Sequence, residues 1–256
     1  MTYNQYWSLV LTKVHLNLKS EVSKSYLSYI WWVLEPALFV LVFYIVFETF
    51  LNRGGEDFVV FLVCGKIPFL WFSRTVQNAS NSIVAGRGLM NQIAIPKSFF
   101  PVVVCMQDSF KSLFVFLVML AFLLFSGVQP TMSWLALPVI MVVQFTFNLS
   151  VALFGAAIVP FIPDFRYMIS TGLMLMMFGS GIFYSYKDVL LPEHQEMFLL
   201  NPMANLIRIY RDMLLGYNPI DWLSVGYIFS VCLVAVAAML WFIRKFDNYY
   251  PRLVLQ

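Results

Sequence analysis

Long apolar runs separated by short polar stretches dominate this chain. The pattern predicts membrane-spanning helices, because an α-helix needs roughly 20 mostly apolar residues to cross the hydrocarbon core. We expect six spans, numbered in chain order, at residues 29–51, 58–71, 99–125, 132–159, 167–184 and 222–243. The sequence therefore predicts an all-α integral membrane fold that forms a single domain over residues 1–256.

The N-terminal segment, residues 4–25, has a different pattern from the spans. Apolar residues recur at helical spacing on one side, and polar residues on the other, which predicts an amphipathic helix in the membrane interface. The expected apolar face comprises Trp7, Val10, Leu11, Val14, Leu18 and Val22. The expected polar face comprises Lys13, Asn17, Glu21 and Lys24.

Two segments between spans are predicted to hold short helices. Residues 74–97 are too polar for hydrocarbon and should form a cytoplasmic loop containing some helix around Gly86-Arg87-Gly88. This loop is either a mere connector or a surface through which a cytoplasmic partner transmits motion. Within residues 186–221, Asn201-Pro202 suits a helix start and Gly216 a helix end. A shorter helix is expected before it. Together the two helices are predicted to form an external re-entrant hairpin between spans five and six.

Lysine and arginine residues indicate the orientation, because they are enriched in cytoplasmic loops. With both termini in the cytoplasm, four basic residues fall outside, namely Arg53, Lys187, Arg208 and Arg211. Ten fall inside, namely Lys13, Lys19, Lys24, Arg74, Arg87, Lys97, Arg166, Arg244, Lys245 and Arg252. We therefore expect a cytoplasmic N-terminus and a cytoplasmic C-terminus.

Composition agrees with a membrane protein and excludes several other classes. Hydrophobic residues make up 61% of the chain and charged residues 11%, and the formal charge of +3 gives no reason to expect a nucleic-acid partner. Gly65-Lys66 lacks the surrounding pattern of a phosphate-binding loop, so the chain is not expected to bind ATP. The three cysteines lie in apolar runs without metal-ligand spacing, and no nucleophile motif is present. Neither an enzyme nor a metal site is expected.

Charged residues inside the predicted spans need partners or a protein-lined interior. Glu35 could form an ion pair with Lys66 or Arg74, or it could contact a transported molecule, hereafter the cargo. The sequence favours neither role. Asp108 and Lys111 lie three residues apart and are expected to neutralise each other. Arg208 and Arg211, in the external segment, could bind anionic groups, although we expect them to snorkel to the interface.

Aromatic side chains are the strongest candidate for cargo contacts, because flat rings stack on sugar faces. Trp31 and Trp32 lie near the inner interface, whereas Phe39, Phe43 and Phe47 recur at one-turn spacing through span one. The alternative is interfacial belts and ordinary packing. The candidate channel residues are Trp31, Trp32, Glu35, Phe39, Phe43, Tyr44, Phe47, Trp71, Phe72, Phe183 and Tyr184.

The stretch Tyr26-Leu27-Ser28-Tyr29-Ile30-Trp31-Trp32-Val33-Leu34-Glu35-Pro36 resembles the segment that opens the first span of ABC-2-type polysaccharide exporter permeases. The resemblance extends over the whole chain, through Gly-Lys-Ile-Pro-Phe-Leu-Trp at residues 65–71, Ile95-Pro96-Lys97 and Asn201-Pro202. The sequence departs from the family pattern at Ser28, where glycine is common.

This resemblance implies a homodimer in the bacterial cytoplasmic membrane, working with two copies of a separate ATPase subunit that holds ATP and Mg. It also implies export of a polysaccharide on a polyprenyl lipid, with O-antigen as the first candidate, through a pore between the two copies. The residues implied in ATPase coupling are Lys13, Ser82, Gly86, Arg87, Gly88 and Met90.

Two other functions remain open at this point. One is an ABC-2 permease for a drug or a lipid, in which the aromatic stripe is packing only. The other is an intramembrane enzyme acting on polyprenyl-linked sugars, for which Glu35, Asp108 and Lys111 would be the catalytic candidates.

Overall fold

The computed structural model describes residues 3–24, 30–31, 34, 37–38, 41–42, 45–46, 58–90, 92–189 and 191–255. Most of the predicted first span, including Glu35, lies outside the described residues. Within the described ranges every regular element is a helix, which confirms the all-α prediction.

Twelve α-helices are numbered here in chain order over the described ranges. They are Tyr3–Lys24 (α1), Phe58–Ser80 (α2), Ser82–Ala85 (α3), Arg87–Met90 (α4), Phe99–Phe125 (α5), Leu137–Ile158 (α6), Phe165–Gly179 (α7), Tyr186–Val189 (α8), Pro192–Leu199 (α9), Pro202–Leu215 (α10), Trp222–Lys245 (α11) and Tyr250–Leu255 (α12). A 3₁₀ helix, Met132–Ala136, leads directly into α6.

Four described helices are long and apolar enough to cross a membrane: α2, α5, α11, and α6 together with its 3₁₀ turn. They correspond to predicted spans two, three, six and four. Predicted span five is only partly represented, because α7 has 15 residues and extends about 22 Å, short of a hydrocarbon core of about 30 Å. The prediction that this helix extends to residue 184 was wrong, since the chain turns at Gly181, where φ is +69°. The count of six spans stays a prediction.

Helix α2 is the innermost of the four. In its most apolar 18-residue window 72% of the residues are buried inside the protein, against 17% for α11. It packs against α5, α6, α7 and α10. Trp71 and Phe72 of α2 are buried in this core, where Trp71 meets Phe116 edge-on at 5.9 Å and Phe72 stacks on Phe147 at 4.9 Å.

The helix α2 is longer than the sequence predicted. It continues through Pro68 to Ser80, so assigning its last turns to a loop beginning at residue 74 was wrong. The polar residues of these turns, Thr75 and Ser80, are buried against protein. The carbonyl oxygen of Pro68 accepts a hydrogen bond from Gln144 Nε2 at 2.7 Å. A main-chain oxygen of α2 is therefore satisfied by a side chain of the neighbouring helix α6.

The two helices predicted within residues 186–221 are confirmed as α9 and α10, and the single-turn helix α8 precedes them. The Asn201 side chain caps α10 by accepting a hydrogen bond from the Met203 main-chain N–H at 3.0 Å. Gly216 ends the helix with φ at +70°, a conformation that glycine adopts without strain. The predicted apolar face of α10 is fully buried, namely Leu206, Ile207, Tyr210, Met213 and Leu214. A re-entrant position in the membrane stays a prediction.

The expectation that Arg211 snorkels was wrong. Its side chain is 7% exposed and donates hydrogen bonds to the main-chain oxygens of Phe61, Gly181 and Ile182, at 3.2, 2.7 and 2.8 Å. The guanidinium also stacks over the Phe61 ring at 3.4 Å. A β-carbon at Gly65 would lie 2.6 Å from Arg211 Nη2, so glycine leaves the space that this side chain occupies. Arg211 joins α2, α10 and the turn after α7.

Arg208, one turn earlier, has a more open environment. It pairs with Asp221 at 3.0 Å, and the two side chains are 18% and 40% exposed. Asp221 also caps α11 by accepting hydrogen bonds from Ser224. Hydrogen bonds from Ser224 and Arg208 lower the pKa of Asp221 to about 2. The pair therefore persists at neutral pH and is lost only as the pH falls towards 2.

Replacing Arg211 by methionine should destabilise the protein by about 3–5 kcal/mol, because carbonyl oxygens that it satisfies lose a buried charged donor. Thermal unfolding in detergent measures the change. Arg208→Met is the matched control on the same helix and should cost less than about 1 kcal/mol, since its ion pair is partly exposed. Equal losses of stability for the two variants would contradict this role for Arg211.

Candidate coupling site

A second hydrophobic cluster lies at the end of the bundle where both described chain ends meet, hereafter the termini end. It joins α1, α3, the first turns of α5, the last turns of α6 and α11, and α12. Its buried members are Val10, Val14, Ile83, Ile95, Phe99, Phe100, Val102, Val103, Leu153, Ala156, Ala157, Ile243 and Tyr250. The short helices that the sequence proposed for coupling are therefore packed onto the ends of the long helices.

The six coupling candidates occupy different environments at the termini end. Lys13, Arg87 and Gly88 are exposed, Met90 is half-buried, and Ser82 is buried. Gly86 is constrained by α5, because a β-carbon there would lie 2.3 Å from the Phe100 ring. The exposed positions are accessible to a partner, whereas the close approach of Gly86 to Phe100 fixes the short helices to the bundle.

An open groove of about 650 Å³ runs beside these helices. One wall is the first two turns of α1, and the other is the turn before α5. The lining residues are Asn4, Gln5, Ser8, Leu9, Ile93, Ala94 and Ile95. The groove combines amide and hydroxyl groups with apolar side chains, which suits contact with another protein.

The C-terminal segment is bound to the same surface. Asp247 accepts a hydrogen bond from the Lys97 main-chain N–H at 2.9 Å and pairs with Lys97 Nζ at 3.4 Å. The Tyr250 hydroxyl donates to the Ala157 carbonyl oxygen at 3.3 Å, at the end of α6. Sequence reasoning missed these contacts, because their partners are about 90 to 150 residues apart.

Four polar residues connect α1 to two long helices, and we call them the polar joint: Glu21, Asn78, Asp108 and Lys111. Lys111 Nζ lies 2.7 Å from the Glu21 carboxylate and 3.9 Å from that of Asp108. Asn78 Nδ2 donates to Asp108 Oδ2 at 2.9 Å. The predicted pairing of Asp108 with Lys111 is confirmed, but it belongs to a larger network between α1, α2 and α5.

The polar joint corrects the prediction for α1. Asn17 and Glu21 were expected on a polar face opposite Val10 and Val14, but both contact α5. Asn17 donates to Gln107 at 3.1 Å, and Gln107 donates to Glu21 at 3.2 Å. Leu11, expected on the same apolar face as Val10 and Val14, is 55% exposed. The protein-facing stripe of α1 runs through Val10, Val14, Asn17 and Glu21, because α5 supplies partners for polar groups.

Two of the three charged side chains of the joint are buried, whereas the Glu21 side chain is 41% exposed. Asp108 and Lys111 are 3% and 8% exposed, and buried charges are tolerated only where they are paired and hydrogen-bonded. Two of the three catalytic candidates of the enzyme hypothesis are therefore engaged in structural contacts. Among the described residues no group of three or more His, Cys, Asp or Glu side chains could hold a metal ion.

The channel candidates fall into four groups. Trp71 and Phe72 are buried in the helical core, as described above. Phe183 and Tyr184 lie just after α7, where the Phe183 ring is 5.6 Å from that of Phe178 and the Tyr184 hydroxyl donates to the Phe178 carbonyl oxygen at 3.0 Å. Trp31 is 52% exposed. The remaining candidates lie outside the described residues, namely Trp32, Glu35, Phe39, Phe43, Tyr44 and Phe47.

Comparison with known proteins gives full-length matches. The chain is 27% identical over 240 residues, covering 92% of each chain, to an O-antigen export system permease protein, RfbA, from Klebsiella pneumoniae. It is 27% identical to the protein of the same description from Myxococcus xanthus, over 81% of this chain and 80% of that protein. It is 21% identical, over 86% of each chain, to the polysialic acid transport protein KpsM from Escherichia coli. No family model matches the chain.

These relatives share nearly the whole length of the chain, and four described helices are of membrane-spanning length. The resemblance drawn from the segment around Trp31 is therefore confirmed: the chain is homologous to O-antigen export permeases and to a polysialic acid transport protein, which is consistent with a permease of an ABC-2-type polysaccharide exporter.

Proposed function

We propose that this chain is the membrane subunit of an ATP-driven exporter that moves a lipid-linked polysaccharide, O-antigen first among the candidates, across the bacterial cytoplasmic membrane. The observation that carries the proposal is the match over 92% of both chains to an O-antigen export permease. In this proposal two copies of the chain form the pore, and both termini are cytoplasmic. A separate ATPase subunit, also present in two copies, hydrolyses ATP.

The termini end is the proposed docking surface for the ATPase. It presents the exposed side chains of Lys13 and Arg87 and the groove between α1 and residues 93–95. Gly88, with open space around it, allows close approach of a partner backbone. The tight contact of Gly86 with Phe100 would carry displacement of the short helices directly to α5.

The polar joint is the proposed path from α1 to the spans. Its charge pairs tie α1 to α5, and its Asn78–Asp108 hydrogen bond ties α5 to the central helix α2. Because Asp108 and Lys111 are buried, separating them from these partners would leave buried charges uncompensated. Displacement of α1 by the ATPase would then move α5 and α2 along with it.

The proposed pore is lined by aromatic residues of the first span, with Phe39, Phe43, Tyr44 and Phe47 as its centre and Trp31 and Trp32 at the cargo entrance. Trp71 and Phe72 are assigned to packing, since their rings are occupied by Phe116 and Phe147. Phe183 and Tyr184, with the helices α9 and α10, would frame the exit. The role of Glu35 stays open: it either forms a structural ion pair or contacts the cargo.

Arg87→Glu should abolish ATPase binding without unfolding the permease, because its side chain is exposed. The test is complementation of a strain lacking this gene, with surface polysaccharide and co-purified ATPase as readouts. The wild-type chain should restore export, Arg87→Glu should restore neither, and the exposed control Lys187→Glu should restore both. Normal surface polysaccharide in the deletion strain would overturn the proposed function, whereas ATPase binding by Arg87→Glu would overturn only the docking surface.

Glu21→Gln should reduce export relative to ATP hydrolysis, since it removes the charge that links α1 to Lys111. Lys19→Gln is a matched control, because it removes a charge from an exposed position on the same helix. The measurement is polysaccharide exported per ATP hydrolysed in vesicles containing the whole transporter. An unchanged ratio for Glu21→Gln would contradict the role of the joint in coupling.

The double substitution of Phe43 and Tyr44 by alanine should lower surface polysaccharide several-fold, because stacking contacts in the pore are lost. Phe125→Ala is the control, since Phe125 is 92% exposed at the end of α5. Unaltered surface polysaccharide in the double variant, with normal protein levels, would favour the drug or lipid permease instead.

A further inference from the structure

A cavity of about 500 Å³ lies at the termini end between α1, the turn before α5, α5, α6 and α11. It is separate from the polar joint and from the groove beside α1. Its lining is mainly apolar, and the exceptions are Tyr6, Trp7, Ser98 and Arg244. The other lining residues are Pro96, Val102, Met106, Phe145, Leu149 and Leu240.

Arg244 gives the cavity its charge. It is exposed on the last turn of α11, and in the part of the chain that the structure describes it pairs with no carboxylate within 4.0 Å. The neighbouring Lys245 instead has its ammonium group 5.0 Å above the Trp241 ring and does not line the cavity.

Tyr6 and Ser98 place hydroxyl groups near this guanidinium. Burial raises the pKa of Tyr6, while a hydrogen bond with Ser98 and the positive charge of Arg244 act in the opposite direction. The Tyr6 hydroxyl therefore stays a neutral donor at physiological pH. One cation and two hydroxyl donors beside an apolar chamber match a phosphate group attached to a hydrocarbon chain.

The exposed surface of α11 lies next to the cavity. This helix exposes large apolar side chains, among them Leu233, Val234 and Trp241 at 52%, 67% and 63%. Such a surface is typical of contact with lipid, and Trp241 beside Lys245 is typical of the headgroup level. An apolar chamber opening there is more favourably filled by hydrocarbon than by water.

We propose that this cavity binds one anionic phospholipid of the membrane, with an acyl chain between α1 and α11. The phosphate would contact the Arg244 guanidinium and accept hydrogen bonds from Tyr6 and Ser98. The bound lipid fills the gap behind α1 and supports its position on α5. The occupant is a membrane phospholipid and not the exported cargo, so this site does not depend on the proposed function.

The test is native mass spectrometry of delipidated protein titrated with phosphatidylglycerol or phosphatidylcholine. The wild-type chain should bind one phosphatidylglycerol in preference to phosphatidylcholine. Arg244→Gln should weaken that binding about fivefold, as expected for one basic residue facing an anionic lipid. Lys245→Gln, the neighbouring control, should bind like wild type. Equal binding of the two lipids, or equal binding by wild type and Arg244→Gln, would overturn the proposal.

A second variant tests the acyl chamber while keeping the charge. Met106→Phe adds volume inside the cavity and should also reduce bound phosphatidylglycerol, whereas Leu117→Phe, at a position 62% exposed on the same helix, should not. Variants are compared only when the protein is monodisperse and circular dichroism shows that it is helical. Should Met106→Phe not fold, thermal unfolding of the wild type supplies the test: phosphatidylglycerol should raise the Tm more than phosphatidylcholine does. Full lipid binding by folded Met106→Phe, or equal Tm shifts for the two lipids, would contradict the proposal.

Discussion

Polar groups inside long apolar helices must be satisfied by the protein, since hydrocarbon offers no hydrogen bonds. This constraint determines how the helices of this chain are held together. Gln144 of α6 donates to the carbonyl oxygen of Pro68 in α2. Arg211 supplies donors to three carbonyl oxygens in α2 and in the turn after α7. Each polar interaction fixes one helix against another, where apolar packing alone would allow sliding.

The same constraint gives the termini end its structure. If the polar side chains of α1 contacted only water, α1 would be an independent amphipathic helix. Instead, Glu21 and Asn17 contact α5, where Lys111, the partner of Glu21, is buried. Charge pairs therefore join a helix at the edge of the fold to a long helix of the bundle. In the proposed exporter, this contact would carry a displacement of α1 to the spans.

Sequence reasoning predicted features that depend on residues close together in the chain. The cap at Asn201, the glycine at the end of α10 and the Asp108–Lys111 pair all come from spacings of a few residues. The family resemblance also rested on a continuous stretch around Trp31. The contacts that the sequence pattern could not predict join residues far apart in the chain. Lys97 and Asp247, for example, are 150 positions apart. The exposure of Leu11 and the burial of Asn17 follow from α5, and nothing in α1 itself indicates them.

The attachment of α12 also bears on the order in which the protein is made. Tyr250 completes the cluster at the end of α6, and Asp247 holds the turn before α5. These residues leave the ribosome after every long helix that the structure describes. The surface proposed for ATPase docking is therefore finished only once Tyr250 has been synthesised. A partner that recognises this surface would assemble only with chains that extend at least to Tyr250.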